Sequence, residues 1–377
     1  MSNLNKTVRI LCTGSAGSGA LSYIESAITQ LGEQQKDIKL YKIFDWMHKV
    51  DPSIEEGTVL NLDSKIRENV RKRAINLICD DIQSSGPKYA IIRTPATFYW
   101  RRTPEEGLDH EDIKKIIPDL VFAIIDDAPR VQEVLSVDEQ WKTHNFTLRE
   151  LADWRAREIT RSQEVIEPLM SESPISVFLL PRDHPPSVFT DIFIAPQKPR
   201  AYFSFPITHM DSKGIGRAKA FLEKLREQYV VFDPLTMQEE KLVEEWRKDP
   251  GKERIKVEIK YSTESKPYDV PSQQVDDASK VIGTEIVRRD QIFIDESDCV
   301  IVYYPGKILS VGVIYEIVYA HMRGKRVFMF HDQRPSPFLE HSTTRIFEKE
   351  EEMLNFLLDG VPFRLRETQL RKKLGIC

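Results

Sequence analysis

The stretch Arg289–Glu316, RDQIFIDESDCVIVYYPGKILSVGVIYE, decides how this chain is read. It opens with an amphipathic helical turn that carries Asp290. An apolar run of strand character follows from Cys299 to Tyr304, closed by the Pro305-Gly306 turn. Ser310, Gly312, Tyr315 and Glu316 then lead into a second helix, IYEIVYAHMRGK. Helix, buried strand, turn and helix make half of a doubly wound α/β unit. Such sheets bind ligands in the crevice beyond the carboxyl ends of their strands. The loop holding Ser310 and Gly312 stands at such an end, and the spacing places Glu316 in the first turn of the next helix.

The chain has 377 residues, too many for one ordinary core, and implies two domains. A hydrophobic content of 41% beside 30% charge is the balance of a globular chain in water. The net charge of −5 offers no electrostatic footprint for nucleic acid. No run of about 18 apolar residues is present, so no membrane span is expected. The N-terminus lacks the cationic and apolar regions of a secretory signal. Cys12, Cys79, Cys299 and Cys377 lie far apart with no CxxC pair. That usage fits a reducing, cytoplasmic setting rather than a disulfide scaffold or a zinc site. Neither a metal nor a required cofactor is expected.

In the first half, VRILC (8–12) reads as a strand, followed by the loop Gly14-Ser15-Ala16-Gly17-Ser18-Gly19 and a helix from Ala20 to Leu31. This is the layout of a phosphate-binding loop, where backbone amides and a helix N-terminus cradle anions. It makes Gly14, Gly17, Ser18 and Gly19 candidates for weak nucleotide binding. The usual lysine position holds Ala20 and the usual Ser/Thr position holds Leu21. The β/γ-phosphates thus lose a charge partner and the metal loses a ligand. Strands at 38–43, 89–93, 120–125 and 175–180 alternate with helical patterns at about 64–85 and 147–171. That alternation argues for a parallel sheet covered on both faces.

On CTGSAGSG (12–19), TPATFYWR (94–101) and TLRELADWRAREITR (147–161), this half resembles archaeal-type adenylate-kinase-like P-loop proteins. With Ala20 and Leu21 in place, the resemblance implies a degenerate kinase-like domain serving as scaffold or docking surface, with ATP binding left open. Arg93, Arg101 and Arg102 are its candidate phosphate contacts. Solvated surface arginines are the commoner case.

Pro181, Pro185, Pro186, Pro196 and Pro199 follow within 19 residues and cannot continue a helix or a central strand. One last strand, VFTDIFIAP, is expected there, with a boundary near 197 that divides the chain into domains 1–196 and 197–377. The second half begins with the strand AYFSFPIT (201–208), a helix at 214–228 and the strand YVVFD. A charged stretch to about 270 reads as an insertion or flexible flap. A helix from 276 to Glu296, the stretch quoted above, RVFMF (326–330), a helix near 348–358 and a basic tail complete it. The expected fold is α/β, with two doubly wound parallel-sheet, Rossmann-like domains.

On YFSFPI, RDQIFIDESDCVIV and SVGVIYEIVYA followed by GKRVF, residues 200–358 resemble the nucleoside 2-deoxyribosyltransferase superfamily. Within it they resemble the 2′-deoxynucleoside 5′-monophosphate N-hydrolases. Cleaving an N-glycosidic bond requires capture of an oxocarbenium-like C1′ and protonation of the leaving base, tasks that paired carboxylates perform. The resemblance implies Glu316 as nucleophile, Asp290 as the sugar-contacting acid/base and Tyr202 as the hydroxyl that orients Glu316. It implies Ser310 as a phosphate contact, where the transferases carry an Asp. A place in the first helical turn is expected to keep Glu316 ionised. Gly312 is expected to let the backbone approach the ligand closely.

Ser204 and Pro206 of the first turn, and Ser342 in HSTTR, complete the expected substrate contacts. The proline-bearing turn Ser204-Phe205-Pro206-Ile207-Thr208-His209 is nearer the transferase version, and His209, Arg217 or Arg345 would supply missing charge. Read without the resemblance, Glu316 is a dipole partner, Tyr202 a core residue, Asp290 a surface acid and Asp298 a strand cap. The expected activity is hydrolysis of a (deoxy)nucleoside 5′-monophosphate. Deoxyribosyl transfer, NAD cleavage and a non-catalytic nucleotide sensor are the alternatives. A homo-oligomer is expected by analogy.

Overall fold

The computed structural model describes residues 7–55, 57–170, 175–207, 210–306 and 309–359. Its strands are β1 (Val8–Thr13), β2 (Ile38–Lys42), β3 (Tyr89–Arg93), β4 (Thr97–Trp100), β5 (Thr103–Glu106), β6 (Leu120–Ile125) and β7 (Ser176–Pro181). There follow β8 (Arg200–Ser204), β9 (Val230–Phe232), β10 (Arg254–Lys260), β11 (Ser265–Pro271), β12 (Cys299–Tyr303), β13 (Arg326–Phe330) and β14 (Arg345–Phe347). Two compact units emerge. The first holds the described residues up to Pro186 together with Thr236–Val287; the second holds Ser187–Leu235 and the described residues from Arg288 onward.

In the first unit a parallel sheet runs in the order β2-β3-β1-β6-β7. Ile10, Leu11 and Cys12 of its middle strand are fully buried, as a strand covered on both faces must be. The expected helix Ser64–Ser85 begins at Asp63, whose side chain accepts from Lys65 N and Ile66 N. It stops at Gly86, whose φ of 57° is the left-handed state that glycine adopts most easily. The helix Leu148–Glu164 starts with a capping box between Thr147 and Glu150.

The division differs from a single cut near 197, because residues 236–287 pack into the first unit. They form a helix (Glu240–Lys248), the antiparallel hairpin β10–β11 and the start of a long helix, Ser272–Glu296. Charge hid this from the sequence. On β10, Arg254, Lys256, Glu258 and Lys260 alternate with buried Ile255 and Ile259, a half-buried strand rather than a flap. Ile255, Val270, Val275, Ala278 and Ile282 share one core cluster with Trp141, Phe146 and Trp154. The Arg155 guanidinium fastens the insertion at its base through two hydrogen bonds to the buried Glu239 carboxylate.

A second difference concerns VFTDIFIAP, which belongs to a helix, Pro186–Ile194, and not to a strand. Proline suits the first helical position, where no intrahelical N–H is needed. Val188, Phe189, Ile192 and Phe193 are buried at helical spacing.

The second unit's parallel sheet runs β14-β13-β12-β8-β9. Strand order reverses between β8 and β12, the switch point at which doubly wound sheets open a crevice. Ala201 and Phe203 of β8 face a core with Phe221, Leu225, Ile301, Tyr303, Phe328 and Met353. Tyr202 and Ser204 therefore share the opposite face, since side chains alternate along a strand.

Candidate functional site

The register pairs Tyr202 with Val300 and Ser204 with Val302, so both hydroxyls stand near the carboxyl ends of β8 and β12. Glu316 arrives from the helix Val311–Met322 that follows β12. Tyr202 Oη donates to Glu316 Oε1 at 2.9 Å, and Ser204 Oγ donates to Oε2. Tyr202 and Ser204 are fully buried. The Tyr202 ring packs on Phe293 at 6.1 Å, and Phe293 stacks on Phe232 at 5.5 Å. Phe293 lies three residues beyond Asp290 on the long helix, so the two share a helical face. Arg289 Nε donates to Asp290 Oδ1 at 2.9 Å.

Electrostatics make this pair of carboxyls unusual. Burial pushes Glu316 up to about 8, Asp290 adds to the rise, and the Ser204 and Tyr202 hydroxyls and Arg289 oppose it. Burial also raises Asp290, against the pull of Arg289. Burial, with the nearby charges of Asp290 and Glu316, holds the Tyr202 phenol well above its ordinary value, so it stays a donor. Two half-buried acids facing one guanidinium do not both ionise readily, and near neutrality the pair retains a proton. One member is then an acid and the other a nucleophile or base.

This corrects the expectation for Glu316. The helix begins at Val311, which puts Glu316 in its second turn, where the helix dipole has largely faded. Burial and Asp290, not the dipole, set its protonation.

Ser310 is the N-cap of that helix: its Oγ accepts from Val313 N at 3.5 Å, and its own N–H donates to Tyr304 Oη at 3.1 Å. Gly312 lies in regular helix, and a methyl group added there would meet nothing within 4 Å. Its small size is thus not a requirement of the protein's own packing. Pro206 is buried just beyond the core residue Phe205. Ser342 ends the short helix Pro337–Ser342, and among the described residues no hydrogen bond links it to Glu316, Asp290 or Ser310. The Arg345 guanidinium lies 4.5 Å from the rings of Phe347 and Phe356, packing that accounts for it without a ligand. Arg217 is exposed on the helix Ser212–Arg226. Thr208 and His209 lie outside the described residues, as does the basic tail. Asp298 accepts from Arg200 N at 2.9 Å and ties the entry of β8.

Sequence reasoning missed two partners. Ser204, taken as a substrate contact, is a second hydroxyl on Glu316; the Tyr-x-Ser spacing on one strand was the available signal. Arg289, directly before Asp290, was not singled out although its side chain is buried against that acid.

In the first unit the glycine loop lies between β1 and the helix Ala20–Thr29, with Gly19 in the left-handed state. Gly14 N donates to the fully buried Glu158 at 2.7 Å, and Ala96 N, Thr97 N and Thr97 Oγ1 donate to the same carboxylate. Two cations reach the loop: Arg93, whose Nη2 donates to Gly14 O at 2.9 Å, and Arg182, whose guanidinium occupies the space beside Gly19 and pairs with Asp126 at 3.2 Å. Arg101 and Arg102 form the β4–β5 turn with φ of 49° and 62°, and donate to Asn61, Glu150 and His144 O. Among the described residues no group of His, Cys, Asp and Glu is arranged to hold a metal, and no helix is long and apolar enough to cross a membrane.

No known protein family matches the sequence, and no curated protein does. Among solved structures, shikimate kinase from Bacteroides thetaiotaomicron is similar at 11% identity and a TM-score of 0.29, over 46% of this chain and 86% of that one. Thymidylate kinase from Candida albicans is similar at 13% identity and a TM-score of 0.32, over 51% of this chain and 93% of that one. Both scores are too low to carry an argument about activity.

Proposed function

We propose that the second unit cleaves the N-glycosidic bond of a nucleoside 5′-monophosphate. The observation that carries this reading is the Glu316 carboxyl, held by Tyr202 and Ser204 at the switch point of the sheet beside a second acid, Asp290. In this reading the pair shares one proton, held mostly by Glu316 near neutrality, and the reacting form is the minor one with that proton on Asp290. The Glu316 carboxylate then attacks C1′ while Asp290 gives the proton to the departing base. Water then cleaves the glycosyl ester, losing its proton to Asp290 as Glu316 is released. Tyr202 and Ser204 fix the carboxylate plane, so that a lone pair faces C1′. The 5′-phosphate would meet the helix N-terminus at Ser310, where the helix dipole and a hydroxyl favour an anion.

The test is chromatographic detection of free base from deoxy- and ribonucleoside 5′-monophosphates, nucleosides and NAD, with and without an acceptor base. Release from a monophosphate that disappears in Glu316→Ala supports the proposal. Exchange that requires an acceptor moves the protein to deoxyribosyl transfer, and release from NAD alone to NAD cleavage. A folded protein that binds nucleotide and releases nothing is the sensor.

The same reading takes the protein as a homo-oligomer. Val311, Tyr315, Val318 and Met322 are exposed at helical spacing along one helix, an apolar face that a second copy would cover. Light scattering that returns a monomer mass at micromolar protein overturns this part.

A further inference from the structure

Arg93 ends β3 at the edge of the glycine loop, and its environment is incomplete. Its Nη2 donates to Gly14 O at 2.9 Å, while Nε and Nη1 are buried with no hydrogen-bond partner. A guanidinium keeps its charge in a protein, so two buried nitrogens whose three N–H groups lack acceptors are costly. Glu158 acts on Arg93 electrostatically but is not in contact as an ion pair, and its oxygens are taken by Gly14, Ala96 and Thr97. The charge is therefore offset nearby while the donors stay unused.

Beside Arg93 lies a pocket of about 140 Å³. Phe44, Phe98, Trp141 and Leu60 supply apolar walls, and Gln140 adds an amide that both donates and accepts. The Phe44 and Phe98 rings stand 6.5 Å apart. A dry cavity of about 150 Å³ holds one benzene ring, so this pocket is sized for one ring and not two. Among the described residues no cation other than Arg93 lines it. A phosphate dianion would meet one already offset guanidinium and apolar walls, whereas a neutral ring with carbonyl or ring-nitrogen acceptors meets each requirement.

We propose that this pocket binds a free pyrimidine base, its acceptor edge on Arg93 and Gln140 and its faces against the aromatic walls. The site lies wholly within the first unit and does not rest on the glycosidase reading.

The experiment is titration of the full chain, by tryptophan fluorescence (Trp141 lines the pocket) and calorimetry, with cytosine, uracil, thymine, adenine, benzene and inorganic phosphate. A saturable response to at least one pyrimidine is expected, with benzene, adenine and phosphate at least about tenfold weaker. Arg93→Met should weaken the pyrimidine about tenfold. Because Arg93 also anchors Gly14, Leu60→Phe provides a second variant that fills the pocket without touching that bond. It should abolish the response with the circular dichroism spectrum kept. Glu316→Gln should leave the response intact. No response from folded wild-type protein overturns the proposal, as water then satisfies Arg93. Phosphate or benzene binding as well as the pyrimidines overturns it too. So does a response insensitive to Arg93→Met and Leu60→Phe, or one lost in Glu316→Gln, which would place the base in the second unit.

Discussion

Both units bury acids at the carboxyl end of a parallel sheet, and in both the acids are harder to ionise than usual. In the first, burial lifts Asp126 to about 6 and Asp127 to about 7; in the second it lifts Glu316 to about 8. What separates them is access and partnering. Asp127 is 0% exposed, and both its oxygens accept from Gln238 N; Asp126 is held by Arg130 and Arg182. Glu316 is only half-buried, its partners are hydroxyls rather than cations, and the one guanidinium nearby is bonded to Asp290. A shifted pKa alone marks a buried acid. Only together with an open approach does it mark a reactive one.

The contrast breaks most sharply on Glu316→Gln. Base release is expected to fall about 10³–10⁴-fold, whereas Asp127→Asn, by the same assay, should change it less than about threefold. Comparable losses would erase the distinction. Next in size is Arg155→Met in the first unit, which strands Glu239 without its cation. Denaturant unfolding should show a loss of roughly 3–5 kcal/mol, as expected when one partner of a buried pair is removed. Tyr202→Phe deletes one of the two hydroxyls on Glu316 and should lower kcat about 10–100-fold while leaving KM nearly unchanged.

A finer test is of pH. The folded-state pKa of Glu316 lies above the ordinary 4.5, so the folded form binds more protons from there to about 8. Its contribution to stability is complete below about 4.5 and declines as pH rises toward about 8. Glu316→Gln should therefore raise Tm at pH 8 more than at pH 5, and an equal change at both would sink the argument. In Asp290→Asn, the carboxyl resonance of Glu316 should titrate at lower pH, since one source of its rise is gone. The smallest effect belongs to Gly312→Ala. With nothing near the added methyl, stability should rise by up to about 1 kcal/mol from helix propensity alone. If substrate KM then worsens several-fold, the ligand, not the protein, requires that glycine.

The strands were legible because the sheets are parallel and buried on both faces, so VRILC, YAIIR, LVFAII and CVIVYY stand out as apolar runs. Tyr202, Ser204, Ser310 and Glu316 were legible as a set only through resemblance, since contacts between β8 and a helix more than a hundred residues later leave no local pattern. The helix starts at Val311, earlier than the expected IYEIVYAHMRGK, and so moves Glu316 into a different electrostatic setting. Residues 236–287 were misjudged for a different reason. Composition averages over a strand, whereas burial depends on alternate residues, and Ile255 and Ile259 sit between charges that face outward. Helix Pro186–Ile194 was masked by its own prolines, which flank it and start it rather than interrupt it.

The interleaving of the two units has a consequence for how the molecule is inherited and handled. Thr236–Val287 belongs to one unit yet is encoded inside the other, and the helix Ser272–Glu296 carries residues of both. No single stop codon or protease cut releases either unit whole. A workable fragment of the second unit would join residue 235 to 288 by a designed linker, and the first would need the reverse splice. A nonsense mutation anywhere before the long helix removes both the carboxylates and part of the glycine-loop unit's core, so the two halves are gained or lost as one gene product.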